Sequence, residues 1–253
     1  MSDGLLRERW PESVTEVNSS MAMHGSPLGL FALVLLAFAP ISTRAAECGS
    51  MASPKLDWQE CTKKNLMLQG SDLEGANLFS TDFSLTDLSG ANVKSANLEK
   101  ATLVRASLEG AHAEGANFAK IEAYRSSFAN IAAEGASFAG AELQRANFAG
   151  AQLSGATFEK AELGRADFDK AVLTGAKFSF ANLSRADLSG ATFEGPVMFD
   201  RAFMFLTRIE GLDLSAAAGL EQAQIDLACG DASTKLPTGL SAPATWPCPA
   251  DHE

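Results

Sequence analysis

Residues 136–195 read ASFAG AELQR ANFAG AQLSG ATFEK AELGR ADFDK AVLTG AKFSF ANLSR ADLSG ATFEG, a run of five-residue frames without insertion. The same frame begins at Ser71, so residues 71–195 divide into 25 consecutive frames. The central residue is Leu in 12 of them, Phe in nine, Val in one and Ala in three, and the first residue is Ala in 19. A helix repeats on about 3.6 residues and a strand on two, so a period of five would smear these centres around a helix and alternate them across a strand. Each frame therefore reads as one short side of a coil, closed by a turn. Its first and third residues point inward, and its second, fourth and fifth face water. A weaker frame, 66–70, precedes the run, and Met198 and Phe203 carry the five-residue spacing of the centres beyond it.

Alanine, then Asp or Asn, then Leu or Phe, then two variable residues, in tandem, resembles the pentapeptide-repeat signature over about half the chain. The resemblance implies an all-β fold, a right-handed quadrilateral β-helix with four frames per coil. Residues 20 apart then stack on one side. Leu78, Leu98, Phe118, Phe138, Phe158 and Phe178 would line one side, and Leu88, Leu108, Phe128, Phe148, Phe168 and Leu188 the opposite one. The other two sides carry mostly Leu, Val and Ala, as a core of fixed cross-section requires. Two frames with a shrunken centre, Ala123 and Ala133, carry Ile121 and Ile131 at their first position, which moves the bulk along the same inward face. Frame 111–115 has no such compensation, and a small void or local opening is expected there.

The exposed ends of a stacked coil need caps. The division expected is a leader at 1–45, an N-terminal cap at 46–65 plugged by Trp58, the solenoid at 66–205 and a C-terminal cap at 206–253. Within the last, residues 219–230 read as a short amphipathic helix with Leu220, Ile225, Leu227 and Ala228 available to pack and Gly230 as the stop. The stretch QAQIDLACGD resembles the terminus of secreted bacterial pentapeptide-repeat proteins. Cys48 and Cys61 flank the start of the repeats, and Cys229 and Cys248 their end. That placement suggests two local disulfides, Cys48–Cys61 and Cys229–Cys248; four free thiols are the cytosolic alternative. Residues 28–39 form an apolar run too short for a comfortable membrane span, with small residues Thr43 and Ala45 behind it. Cleavage after Ala45 is expected, with an uncleaved anchor as the alternative and Met1, Met21 or Met23 as the start.

A formal charge of −11 argues against nonspecific attraction to nucleic acid. No catalytic set, metal site or cofactor motif stands out: His24, His112 and His252 are isolated, and Asp167 and Asp187 read as solvated ladder residues. Arg105, Arg125, Arg145, Arg165 and Arg185 are 20 apart and predict a stripe along one corner, neutralised by Glu122, Glu142 and Glu162 as a salt-bridged ladder or open to an anionic partner. Stacked Asn77, Asn97 and Asn117 should hydrogen-bond along the rod. The expectation is a non-enzymatic structural or interaction module of a bacterial envelope, periplasmic or secreted. Its partner would be an unknown protein or an anionic envelope component, with a homodimer through a solenoid end also open. Some cytoplasmic members of the family mimic duplex DNA and bind DNA gyrase, which is the alternative. Residues 71–195 hold 16 acids and 11 bases, and the arginine stripe interrupts the acidic face such mimicry needs.

Overall fold

A computed structural model describes residues 47–248, all within the compact unit Thr43–Glu253. The leader and its cleavage site lie outside the described residues. Second-position residues pair in parallel with those 20 residues on, in four ladders. The first side stacks Asn97, Asn117, Ser137 and Thr157; the second, Thr102, Glu122, Glu142 and Glu162. The third stacks Ser107, Ser127, Asn147 and Asp167, and the fourth Asn92, His112, Ala132 and Gln152. Four frames therefore make one coil. Each side is a single bridged residue wide, so no extended strand forms among the described residues.

The frame composition follows from the turns. The first residue's N–H closes each turn on the third residue's carbonyl, as Ala96 does on Val93 at 3.0 Å. The fifth residue sits at positive φ, which explains why glycine recurs there. Asp, Asn or Ser at the second position accepts the N–H of the fourth: Ala149 N donates to Asn147 Oδ1 at 2.8 Å, and Ser189 N to Asp187 Oδ1 at 3.0 Å. Along the rod Asn117 Nδ2 donates to Asn97 at 3.0 Å and Asn77 Nδ2 to Asp57 at 3.1 Å, but no amide bond links Asn97 to Asn77 among the described residues.

Inside, the rings sort as expected. Phe118, Phe138, Phe158 and Phe178 stack face to face with centroids 4.8 to 5.0 Å apart. Phe128, Phe148 and Phe168 do the same on the opposite side, at 4.8 and 5.1 Å. Across the core the two columns meet edge-on, Phe138 to Phe148 at 5.5 Å and 89°. Ile121 and Ile131 are fully buried beside Ala123 and Ala133. The turns in this stretch are long: Ile121 N reaches Phe118 O at 3.4 Å, Ser126 N reaches Ala123 O at 3.3 Å and Ile131 N reaches Phe128 O at 3.2 Å, against 3.0 Å for Ala116 or Ala146. The local opening expected at frame 111–115 does not occur. Ala113 is fully buried and its N–H bonds Ala132 O at 2.6 Å, so the backbone ladder holds the side shut.

The coil runs past both limits expected for it. Asp57 bridges Asn77 and Thr62 bridges Asp82, which places residues 56–65 in the coil and Trp58 in an inward third position. The next inward position is Lys63. Its Nζ lies 3.6 Å over the Trp58 ring and donates to Cys48 O at 2.7 Å, while burial pushes its pKa down. At the other end Pro196 adds one residue, so Lys177 bridges Met198, Asn182 bridges Phe203 and Asp187 bridges Arg208. Phe199 and Met204 become the inward residues, and Met198 and Phe203 turn outward. A one-residue slip exchanges the faces of a paired segment. On the fourth side the ladder lapses between Thr192 and Asp213, where a cleft of 240 Å³ opens beside Phe193 and Leu212.

The helix expected over 219–230 contracts to α1, Gln222–Ile225. The chain rejoins the ladder at once, through the bridge from Arg208 to Cys229. Ile225 and Ala228 pack inward and Leu220 partly so, whereas Leu227 is exposed. Gln224 takes an inward place instead, donating to the carbonyls of Phe199 and Ala202 at 2.8 and 2.9 Å. Both expected disulfides are present, Cys48–Cys61 and Cys229–Cys248, and Trp246 Nε1 ties the tail to Ala228 O at 2.7 Å.

Candidate interaction surface

Five arginines occupy fifth positions of the second side. Arg105, Arg125, Arg145, Arg165 and Arg185 all have φ between 56° and 60°, and all are exposed. An L-residue in this conformation costs roughly 1–2 kcal/mol. Two of the other corners use glycine for it, at Gly70, Gly90, Gly110 and Gly150 and at Gly75, Gly115, Gly135, Gly155 and Gly175. The corner of the first side, like the arginine corner, places larger residues there, Ser80, Lys100, Lys120, Lys160 and Phe180, so two corners of the coil bear this conformational cost at most positions. Parallel pairing sets the coils about 4.8 Å apart, so five arginines span roughly 20 Å.

The neutralising ladder expected from Glu122, Glu142 and Glu162 does not form. Those carboxylates stack on the second side, and Glu162 accepts Asn182 Nδ2 at 2.8 Å. Among the described residues no ion pair joins them to Arg125, Arg145 or Arg165. Arg125 lies 5.2 Å over the Tyr124 ring instead. Ion pairs between coils form elsewhere, for example Lys94–Glu114 and Lys120–Glu99, both at 2.9 Å.

The other singled-out groups are structural. Asp167 and Asp187 each cap their own turn, and Arg208 pairs with Asp187 at 3.3 Å. His112 stacks between Asn92 and Ala132 on the fourth side, and no cluster of three metal-ligating side chains occurs among the described residues. No helix among them is long and apolar enough to cross a membrane.

One surface was missed at the level of sequence. Past Pro196 the outward positions turn apolar: Met198, Phe203 and Phe205 are exposed, beside Phe180 on the preceding corner and Leu227 above. Phe203 and Phe205 stack at 6.4 Å, and Arg201 lies 5.5 Å over Phe180. The signal was present in AFMFL at 202–206, but reading it required the phase on the far side of Pro196.

The model of the family described as pentapeptide repeats matches eight copies, over residues 64–94, 94–127, 124–159 and 158–195. No curated protein matches the sequence. Among solved structures, full-length QnrB1, a plasmid-mediated fluoroquinolone resistance protein, superposes with a TM-score of 0.59 at 13% identity, over 72% of this chain and 91% of that one. HetL, a pentapeptide repeat protein involved in heterocyst differentiation regulation in the cyanobacterium Nostoc sp. strain PCC 7120, is 23% identical over 76% of this chain and 94% of its own, with a TM-score of 0.39. At this identity the likeness to QnrB1 shows the fold alone, the right-handed quadrilateral β-helix whose four frames per coil the 20-residue ladders display. Family model and coil register agree over the same residues, and the chain belongs to the pentapeptide-repeat family.

Proposed function

We propose that this chain is a non-enzymatic interaction module of a bacterial envelope, periplasmic or secreted, which holds a rigid solenoid corner against an anionic partner. The observation that carries the reading is the stripe itself. Arg105, Arg145 and Arg165 project from strained turns and make no side-chain ion pair among the described residues. A disulfide at each end of the coil suits an oxidising compartment. Duplex mimicry gains nothing here, because a cationic row along the rod repels the partner that an acidic face would attract.

Two measurements test this. Fractionation of C-terminally tagged protein should recover a shortened form beginning near Ala46 outside the cytoplasm; a full-length cytoplasmic product sinks the envelope assignment. Arg125→Gln/Arg145→Gln/Arg165→Gln should elute from a dextran sulfate column at clearly lower salt than the unaltered chain. Equal elution would refute the stripe as the anion-binding corner, independently of where the protein resides.

A further inference from the structure

We infer that the apolar patch around Phe203 and Phe205 docks this protein on an anionic lipid surface. In the regular coils the second, fourth and fifth positions are polar or small, with few exceptions. In the coil after Pro196 three of them are Met198, Phe203 and Phe205, and Phe180 and Leu227 extend the patch to the coils below and above. Phe203 and Phe205 are 51% and 42% exposed, which wastes two rings unless something covers them.

The rim indicates what that is. Lys177 stands directly below Met198 in the first-side ladder, and Arg201 lies over Phe180 at the corner. Neither makes an ion pair among the described residues. Of the nearby carboxylates, Asp187 and Glu210 are paired with Arg208, while Asp200 and Asp226 keep their charge and accept hydrogen bonds from the Ser179 hydroxyl at 3.4 Å and the Gln222 amide at 2.8 Å. Rings flanked by unpaired cations suit a bilayer boundary, where apolar side chains enter below phosphate head groups. The patch lies on side and corner positions of the coil, an arrangement that a soft interface can cover. The overall charge of −11 opposes an anionic surface at long range. At physiological salt, however, charges more than about 8 Å away are largely screened, which leaves the local cations to decide.

The proposal shares the envelope reading but uses none of the stripe residues tested on dextran sulfate, so the two fail separately. The full chain is sedimented with vesicles of phosphatidylglycerol and phosphatidylcholine, and with phosphatidylcholine alone; the leader is common to all variants. Phe203→Ser/Phe205→Ser should weaken binding to the anionic vesicles about ten-fold or more. Lys177→Gln/Arg201→Gln should weaken it roughly ten- to thirty-fold on those vesicles only. Because all four side chains face outward, the melting temperature should stay the same. Unchanged sedimentation in either double variant overturns the proposal. So does a dimer, seen by light scattering, that Phe203→Ser/Phe205→Ser dissociates without altering vesicle binding, because a second copy would then be the occupant.

Discussion

The exchange of bulk between the first and third positions of a frame can be tested as an energetic coupling. Ile131 and Ala133 are both fully buried on one inward face. Ile131→Ala leaves two alanines where neighbouring frames hold one alanine and a large centre, and should cost about 2–5 kcal/mol as a cavity. Ala133→Leu alone overfills the same space, at about 1–3 kcal/mol. The double variant restores the ordinary frame seen at Ala151 and Leu153, the next coil of that side, and should return to within about 1 kcal/mol of the starting protein. A loss of 3 kcal/mol corresponds to a melting shift of about 6–12 °C in a unit of this size. Circular dichroism melts of the four proteins measure it, with hydrogen exchange at Ala113 and Leu153 reporting whether the damage stays local, as it should in a stacked coil. If the two single effects simply add, the side chains do not share one space and the core argument is refuted.

Other outcomes follow from the turns and the caps. Gly155 has φ 69° and open space around a built Cβ, so Gly155→Ala should lose only about 1–2 kcal/mol; Gly219→Ala should lose more, since its Cβ would meet Asp200 at 2.5 Å. Thermal melts rank the two, and an equal loss would show that the steric contact has no weight. Reducing Cys229–Cys248 opens a loop with a sequence separation of 19 and should cost the C-terminal cap about 3 kcal/mol, read as faster proteolysis of the tail while the central coils stay resistant. Hydrogen bonds from Lys235 and Ser215 hold the Asp213 carboxyl down at about 2, and those from Ser233 and the backbone hold Asp231 there too. A depressed folded pKa stabilises above the usual carboxylate range and loses that contribution as pH falls through the folded value. The last coil should therefore loosen between about pH 4 and pH 2, seen as hydrogen exchange at Leu214 and Lys235, and Asp213→Asn should flatten that dependence.

The repeat was legible because a five-residue period is written directly in composition. Small first residues and large third residues recur, and the 20-residue stacking of Phe118, Phe138 and Phe158 follows from four frames per coil alone. The disulfide partners were also legible, since each pair brackets one end of the run. Positive φ at the arginine corner was not read, although glycine at the same place in other frames carried the signal. The pairing of Glu122, Glu142 and Glu162 with the arginines failed because sequence distance says nothing about the direction in which a turn aims a side chain.

What the sequence alone determined is the coil: its period, its inward residues and its sorted core, all of which depend on local repetition. The phase after that repetition breaks had to come from the folded chain. Pro196 inserts one residue, and the ladder from Lys177 to Met198 absorbs it by advancing 21 residues instead of 20. Met198 and Phe203, spaced to be centres, are thereby turned out, and Phe199 and Met204 are turned in. The physical reason is that each side admits only one register against the coil beneath it, and that register is fixed by hydrogen bonds between residues some twenty apart, such as Phe178 N to Met198 O at 2.8 Å.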